Sequence, residues 1–295
     1  MSRNLLARIV VSVIAVPIIL WLSYQEEGWF TNLVLLMAVV SAIEFLLDEG
    51  MGPRRLSFWL SFVAIVLVYF SAVGLSMDDQ GLTWQIKLRP DSVVAEIPVI
   101  LVGFMLLTSG FYLRRPKEEQ PFIGLCRLTW GTLWLALLWP FVILNRSAEI
   151  GGHTIQHPDD WMLFLFAMVW IGDSFALGFG KGFGKHKLAP EISPNKTIEG
   201  ALGGLAGHLA LAVIFWLWNL EYVGLVNLII LSTGVWVFGN IGDLVQSMWK
   251  RSLNLKDSSS ILPGHGGVLD RFDSLLFAAP FMYFFRWMGE SGGWW

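Results

Sequence analysis

The sequence predicts an all-α, polytopic integral membrane helix bundle with about nine transmembrane helices and a cytoplasmic N-terminus. Three observations predict it. The chain of 295 residues is 55% hydrophobic and only 15% charged, with a mean hydropathy of +0.60, a balance that points away from a soluble domain. Apolar stretches recur at roughly 20 residues, the length a helix needs to cross about 30 Å of hydrocarbon. The basic residues are distributed among the connecting segments as a membrane topology requires.

The candidate spans are 5–24, 29–47, 57–76, 92–113, 128–145, 160–180, 200–219, 222–241 and 268–287. The first has the basic start of a signal peptide, but its apolar run is too long and lacks a small-x-small exit, so it reads as a membrane helix. The fourth carries Glu96 and Pro98 near its start, and only Asn219 to Tyr222 can turn the chain between the seventh and eighth. Trp21, Trp29, Trp59, Trp139, Trp161 and Trp287 fall near span ends, where indole rings anchor at the interface. With the N-terminus inside, 16 of the 20 Lys and Arg residues face the cytoplasm, and Lys87, Arg89, Arg146 and Arg286 lie outside. The organisation reads as residues 1–127, holding helices 1–4, and 128–295, holding helices 5–9 and the charged segments. A net charge of −3 gives no reason to expect nucleic acid. The single cysteine, Cys126, excludes an intrachain disulfide and a cysteine metal cluster, and reads as a small apolar filler.

Residues 247–273, SMWKRSLNLKDSSSILPGHGGVLDRFD, concentrate charge in a chain that otherwise has little. They offer cations for phosphate oxygens, carboxylates for a divalent metal, and a glycine-rich turn through which backbone N–H groups can approach an anion. Phosphoryl or nucleotidyl transfer needs these parts together. Asp270 and Asp273 are three apart and share a face if a helix begins there. Asp243, Ser247, Lys250 and Arg251 repeat at helical intervals along the preceding helix.

Residues 170–207 form a second block. Asp173 lies in an apolar helix, where a carboxylate is costly unless paired, hydrated or bound to a cation, so a functional role is the default. Gly178, Gly180, Gly182 and Gly184 suit either close helix packing or approach to a phosphate. Ser193, Asn195 and Lys196 lie in a basic, hydroxyl-rich loop suited to an anion; Ser193 or Asn195 is the expected cap of the next helix, with Thr197 ending the loop. Gly200, Gly203, Gly204 and Gly207 read as helix packing. His208 reads as a hydrogen-bonded bundle residue, and Glu44 as a partner for Arg54 or Arg55.

At these residues the chain resembles the phosphatidate cytidylyltransferases, also called CDP-diacylglycerol synthases. Their pattern S-x-x-K-R, K-D, P-x-H-G-G-x-x-D-R-x-D is met by Ser247, Lys250, Arg251, Lys256, Asp257, Pro263, His265, Gly266, Gly267, Asp270, Arg271 and Asp273. Trp249 departs from it where a smaller apolar residue is usual. A second pattern is met by Gly172, Asp173, Ala176, Phe183, Gly184, Lys185, Ser193, Pro194, Asn195, Lys196, Thr197, Glu199 and Gly200.

The resemblance implies a membrane-bound nucleotidyltransferase that converts CTP and phosphatidate to CDP-diacylglycerol and diphosphate. The count of basic residues puts both charged blocks on the cytoplasmic side, and the bacterial inner membrane is the expected location. Mg²⁺ is expected mainly at Asp243 and Asp270, with Asp173 and Asp273 as further ligands or close neighbours, and a second, monovalent cation is left open. Lys250, Arg251 and Arg271 would neutralise phosphate, with Lys256 beside them, and Ser247 would donate a hydrogen bond. The turn at Gly266 and Gly267 would bring His265 and N–H groups to the leaving diphosphate. Lys196 with Ser193 is expected at the lipid phosphate. The glycine-rich helix faces permit a homodimer. Two rival readings are a CTP-dependent polyprenol or phytol kinase, which would release CDP, and a transporter with an ion path at Asp173 and His208.

Overall fold

The structure is a computed structural model describing residues 3–25, 27–77, 84–88, 90–114, 120–147, 149–150, 153–154, 158–261, 264 and 266–295. His265 and Pro263 of the glycine-rich turn lie outside the described residues. Among the described residues the helices are α1 (Arg3–Ser23), α2 (Glu27–Asp48), α3 (Leu56–Ala72), α4 (Pro90–Leu113), α5 (Pro121–Leu144), α6 (Pro158–Phe183), α7 (Ile198–Trp218), α8 (Leu225–Ser252) and α9 (Leu269–Gly292). Three antiparallel hairpins interrupt them: β1 (Val73–Met77) with β2 (Trp84–Leu88), β3 (Glu149–Ile150) with β4 (His153–Thr154), and β5 (Lys187–Ala189) with β6 (Ser193–Thr197). The third expected span thus stops at Ala72, because Val73 and Gly74 are weak helix formers and open β1 instead.

Among the described residues six helical stretches are long and apolar enough to cross a membrane: Gly28–Asp48, Glu96–Leu113, Pro121–Leu144, Pro158–Phe183, Ile198–Trp218 and Leu225–Ser252. Val13–Ser23 and Leu56–Ala72 are shorter apolar helices. The last helix, α9, carries Asp270, Arg271 and Asp273 near its start and Arg286 and Glu290 toward its end, which keeps its hydropathy below the others. Large apolar side chains remain exposed on the candidate spans, Val99 at 70% and Leu217 at 71% among them. Such surfaces suit lipid, in which a helix satisfies its own backbone and needs no polar exterior.

The chain divides into two compact units. The first comprises Met1–Leu144 and Asp257–Arg271. Its core includes Phe30, Val34, Ala38, Phe45, Val68 and Leu128. Phe45 fills the notch at Gly131, where any Cβ would overlap its ring, and the Tyr69 hydroxyl donates to the Thr31 carbonyl at 2.9 Å.

The second unit comprises Asn145–Lys256 and Phe272–Trp295. Between α7 and α8 the chain turns through Asn219, which donates from its backbone N–H to Phe215, a 3-10 turn at Glu221–Val223, and Gly224 at φ 81°. Trp139 and Trp161 are buried, at 1% and 0% exposure, so these two are packing residues and not the interfacial anchors expected. Trp21, Trp29, Trp59 and Trp287 are exposed. Trp161 donates to the Tyr222 hydroxyl at 3.0 Å, and Arg286 is buried with its guanidinium 4.6 Å from the Trp161 ring centroid. Arg286 donates to the Asn145 carbonyl. Burial pushes the Tyr222 hydroxyl up to about 12, so it stays protonated as Trp161's acceptor.

Candidate active site

In the second unit, α6 and α7 approach closely because glycine lines their contact. A Cβ at Gly203 would overlap Phe179, one at Gly200 would sit 2.8 Å from the Ala176 carbonyl, and one at Gly172 would overlap the His208 ring. Gly172, Gly200 and Gly203 pack within one chain. Gly180 and Gly184 pack against Thr197, whereas Gly178 and Gly182 meet nothing within 4 Å.

Thr197 is the N-cap of α7, with φ −124° and its hydroxyl accepting from Gly200 N at 3.1 Å. The expected caps, Ser193 and Asn195, lie in β6 instead. Glu199 then reaches back to the loop before β5. Its carboxylate accepts from Lys185 N at 3.0 Å and from His186 N at 3.2 Å, and pairs with His186 Nδ1 at 2.6 Å. This clasp fixes the basic loop against the helix start.

The hairpin so held delivers Lys196 to α8. Its ammonium lies 2.5 Å from Asp243 Oδ2, while the Ser247 hydroxyl, one turn along α8, donates to Asp243 Oδ1 at 3.3 Å. The two motif blocks therefore meet at Asp243. Arg251 braces the hairpin tip, donating to the carbonyls of Ile192 at 3.4 Å and Leu255 at 3.1 Å.

Beside this pair opens a cavity of about 290 Å³, solvent mouth included, lined by Asp173, His208, Asn240, Asp243 and Ser274 with Val169, Val235, Trp236 and Gly239 as walls. Its enclosed part is small and carries two carboxylates, so it suits a cation and phosphate oxygens more than a whole nucleotide. Asp273, on α9, is half-buried and interacts electrostatically with Asp243, Asp173 and Lys250. His208 is buried, contacts the Ser232 backbone, and keeps Nδ1 without a partner among the described residues.

The first unit holds the glycine-rich segment. Asp270 Oδ2 accepts from Ser258 N at 2.8 Å, Gly267 N at 3.0 Å and Ser258 Oγ at 3.1 Å. Gly266 has φ 85°, which only glycine adopts at little cost. Glu44, on α2, is 2% exposed and accepts from Ser259 Oγ, Val268 N, Leu269 N and Ser258 Oγ. The expected pairing with Arg54 or Arg55 is replaced by this loop. Lys256, Asp257 and Arg271 are exposed.

Among the described residues no three His, Cys, Asp or Glu side chains form a ready-made metal cage. The carboxylates at the cavity, Asp173 and Asp243, are nonetheless hard oxygen donors. They fit Mg²⁺, which takes one or two carboxylates and completes its shell with water and substrate phosphate.

The cytidylyltransferase family profile matches residues 6–288. This chain belongs to the cytidylyltransferase family. Among its relatives, the phosphatidate cytidylyltransferase of Bacillus subtilis is 32% identical over 284 residues, covering 94% of this chain and 96% of the relative. That of Staphylococcus saprophyticus is 47% identical over 268 residues, covering 85% and 96%. That of Haemophilus influenzae is 46% identical over 154 residues, about half of each chain.

The family match extends through the N-terminal helices, where sequence motifs gave no functional signal. Glu44 belongs to that part. A carboxylate within an otherwise apolar helix is the mark that could have singled it out, as it singled out Asp173.

Proposed function

We propose that this member of the cytidylyltransferase family is a phosphatidate cytidylyltransferase. A phosphate oxygen of phosphatidate attacks the α-phosphorus of CTP. The bond from that phosphorus to the oxygen bridging toward the β-phosphate breaks, and CDP-diacylglycerol and diphosphate result. The supporting observation is the Lys196–Asp243 pair, which joins the two motif blocks beside an oxygen-lined cavity.

The lipid phosphate is already anionic at neutral pH, so no strong base is required. What the chain must supply is alignment and charge neutralisation. Asp243, with Asp173 and Asp273, would hold Mg²⁺, which when bound offsets triphosphate charge and polarises the α-phosphoryl oxygens. Lys196, which pairs with Asp243, would hold the lipid phosphate, with Ser193 beside it. Lys250 and Arg251 neutralise phosphate from the end of α8, and Ser247 donates a hydrogen bond. Arg271 and Lys256 handle anionic oxygens from the loop, whose Gly267 N–H is engaged by Asp270. Asp270 serves that loop through the three donors on its Oδ2.

The distribution of Lys and Arg supports a cytoplasmic N-terminus and a reaction on the cytoplasmic face, with the inner membrane as location. The test uses purified protein, phosphatidate, Mg²⁺ and CTP labelled at either the α- or the γ-phosphate. The α-label should enter lipid and the γ-label should leave as diphosphate. Transfer of the γ-label to lipid with release of CDP would contradict the proposal.

A further inference from the structure

Glu44 lies near the C-terminal end of α2, and among the described residues its side-chain hydrogen bonds run to Ser258, Ser259, Val268 and Leu269. Oε1 accepts from Val268 N at 2.9 Å and Ser259 Oγ at 2.6 Å; Oε2 accepts from Leu269 N at 2.9 Å and Ser258 Oγ at 3.4 Å. Val268 and Leu269 open α9, where N–H groups lack an intrahelical acceptor and negative charge is favoured by the helix dipole. A carboxylate from α2 therefore caps α9 across a long stretch of sequence.

The cap also sets the turn. Gly267 is confined so closely that a Cβ would fall 2.7 and 2.8 Å from the Glu44 oxygens and would overlap the Ser258 hydroxyl. That hydroxyl reaches both Glu44 and Asp270 but has one proton, so it links the two carboxylates without satisfying both at once. Burying a carboxylate costs several kcal/mol before its partners are counted, and apolar side chains of similar volume often stabilise as well or better. Fold stability alone is thus a weak reason for a carboxylate here, and geometry is a stronger one.

We infer that Glu44 is a positioning residue for the transfer reaction. It fixes the Gly266–Gly267 turn, and through it the Arg271 side chain that the loop offers to substrate phosphate. The inference rests on the reading that this loop takes part in the reaction.

The test is Glu44→Gln in the full-length enzyme, followed by steady-state kinetics and hydrogen exchange. The amide has the carboxylate's shape but turns an N–H₂ group toward one of two backbone N–H donors, so one hydrogen bond must break. Small displacements at a reacting centre cost up to about 100-fold, and kcat should fall about 10- to 100-fold. KM for CTP and phosphatidate should stay within about twofold, since a positioning loss falls on the transition state. Exchange across 257–269 should rise, and Glu44→Asp, which keeps the charge, should recover part of kcat. A purely structural role would lower the folded yield and leave kcat of the folded enzyme unchanged. Wild-type kcat with faster loop exchange would overturn the inference together with the loop's part in the reaction. Wild-type kcat with unchanged exchange would overturn the role of Glu44 alone. If Glu44→Gln does not fold, Ser259→Ala removes a single donor; kcat should then fall about threefold, in line with one weakened hydrogen bond, and wild-type kcat would overturn the inference.

Discussion

The Lys196 ammonium lies 2.5 Å from Asp243 Oδ2, tying the β5–β6 hairpin to α8. Both side chains are partly exposed, at 22% and 31%. Pairs of that exposure contribute at most about 1 kcal/mol to stability. The contact therefore matters more for where it holds the lysine than for how firmly it holds the fold.

Replacing Lys196 by Met should lower thermal stability by no more than about 1 kcal/mol. KM for phosphatidate should rise at least about tenfold, as expected when a charge-assisted contact to phosphate is lost. Kinetics on mixed micelles, with thermal unfolding of the same sample, would check both. An unchanged KM would remove Lys196 from the lipid site.

The α6–α7 contact gives a paired expectation. Gly203→Ala drives a methyl into Phe179, and overpacking of this kind costs about 1–3 kcal/mol. Gly178→Ala meets open space and should be neutral or stabilise by up to about 1 kcal/mol. Thermal midpoints in detergent separate the two.

Thr197→Ala should cost about 1 kcal/mol by removing the α7 cap, and Thr197→Ser should retain most of it. The change also slackens the hairpin carrying Lys196, so turnover should fall alongside the midpoint. A stability loss equal in the alanine and serine variants would argue against capping.

Asp270→Asn should lower turnover by about 10-fold or more through the loop, in the range expected for misplacement near a reacting centre. Half-saturating Mg²⁺ should stay within about twofold, because Oδ2 already accepts from three loop donors. A Mg²⁺ titration of the variant decides it; a large rise in the required Mg²⁺ would return Asp270 to the cation site.

Apolar length and charge made most of the helices legible, since a membrane span is a property of twenty consecutive residues. Ends were less legible: α3 stops early at Val73–Gly74, and α5 begins at Pro121, ahead of the expected 128. Trp139 and Trp161 were misread because an indole near a span end looks the same whether it faces lipid or core. Lys196, Asp243 and Ser247 could be singled out by spacing, but not the ion pair, which depends on how the hairpin folds back. Glu44 and Glu199 were not assigned these contacts because a lone carboxylate gives no periodic signal, and their partners are backbone N–H groups that no sequence displays.

The most direct test is lipid-product formation by Asp243→Asn across a Mg²⁺ titration after EDTA treatment, beside the wild type. Chelation should stop the wild type and Mg²⁺ restore it, while the variant, inserted and folded, should stay at least about 100-fold down at every concentration, as loss of charge stabilisation at the transition state requires. Wild-type turnover in the variant with the same Mg²⁺ dependence, or turnover that survives chelation, would contradict a cation held at Asp243.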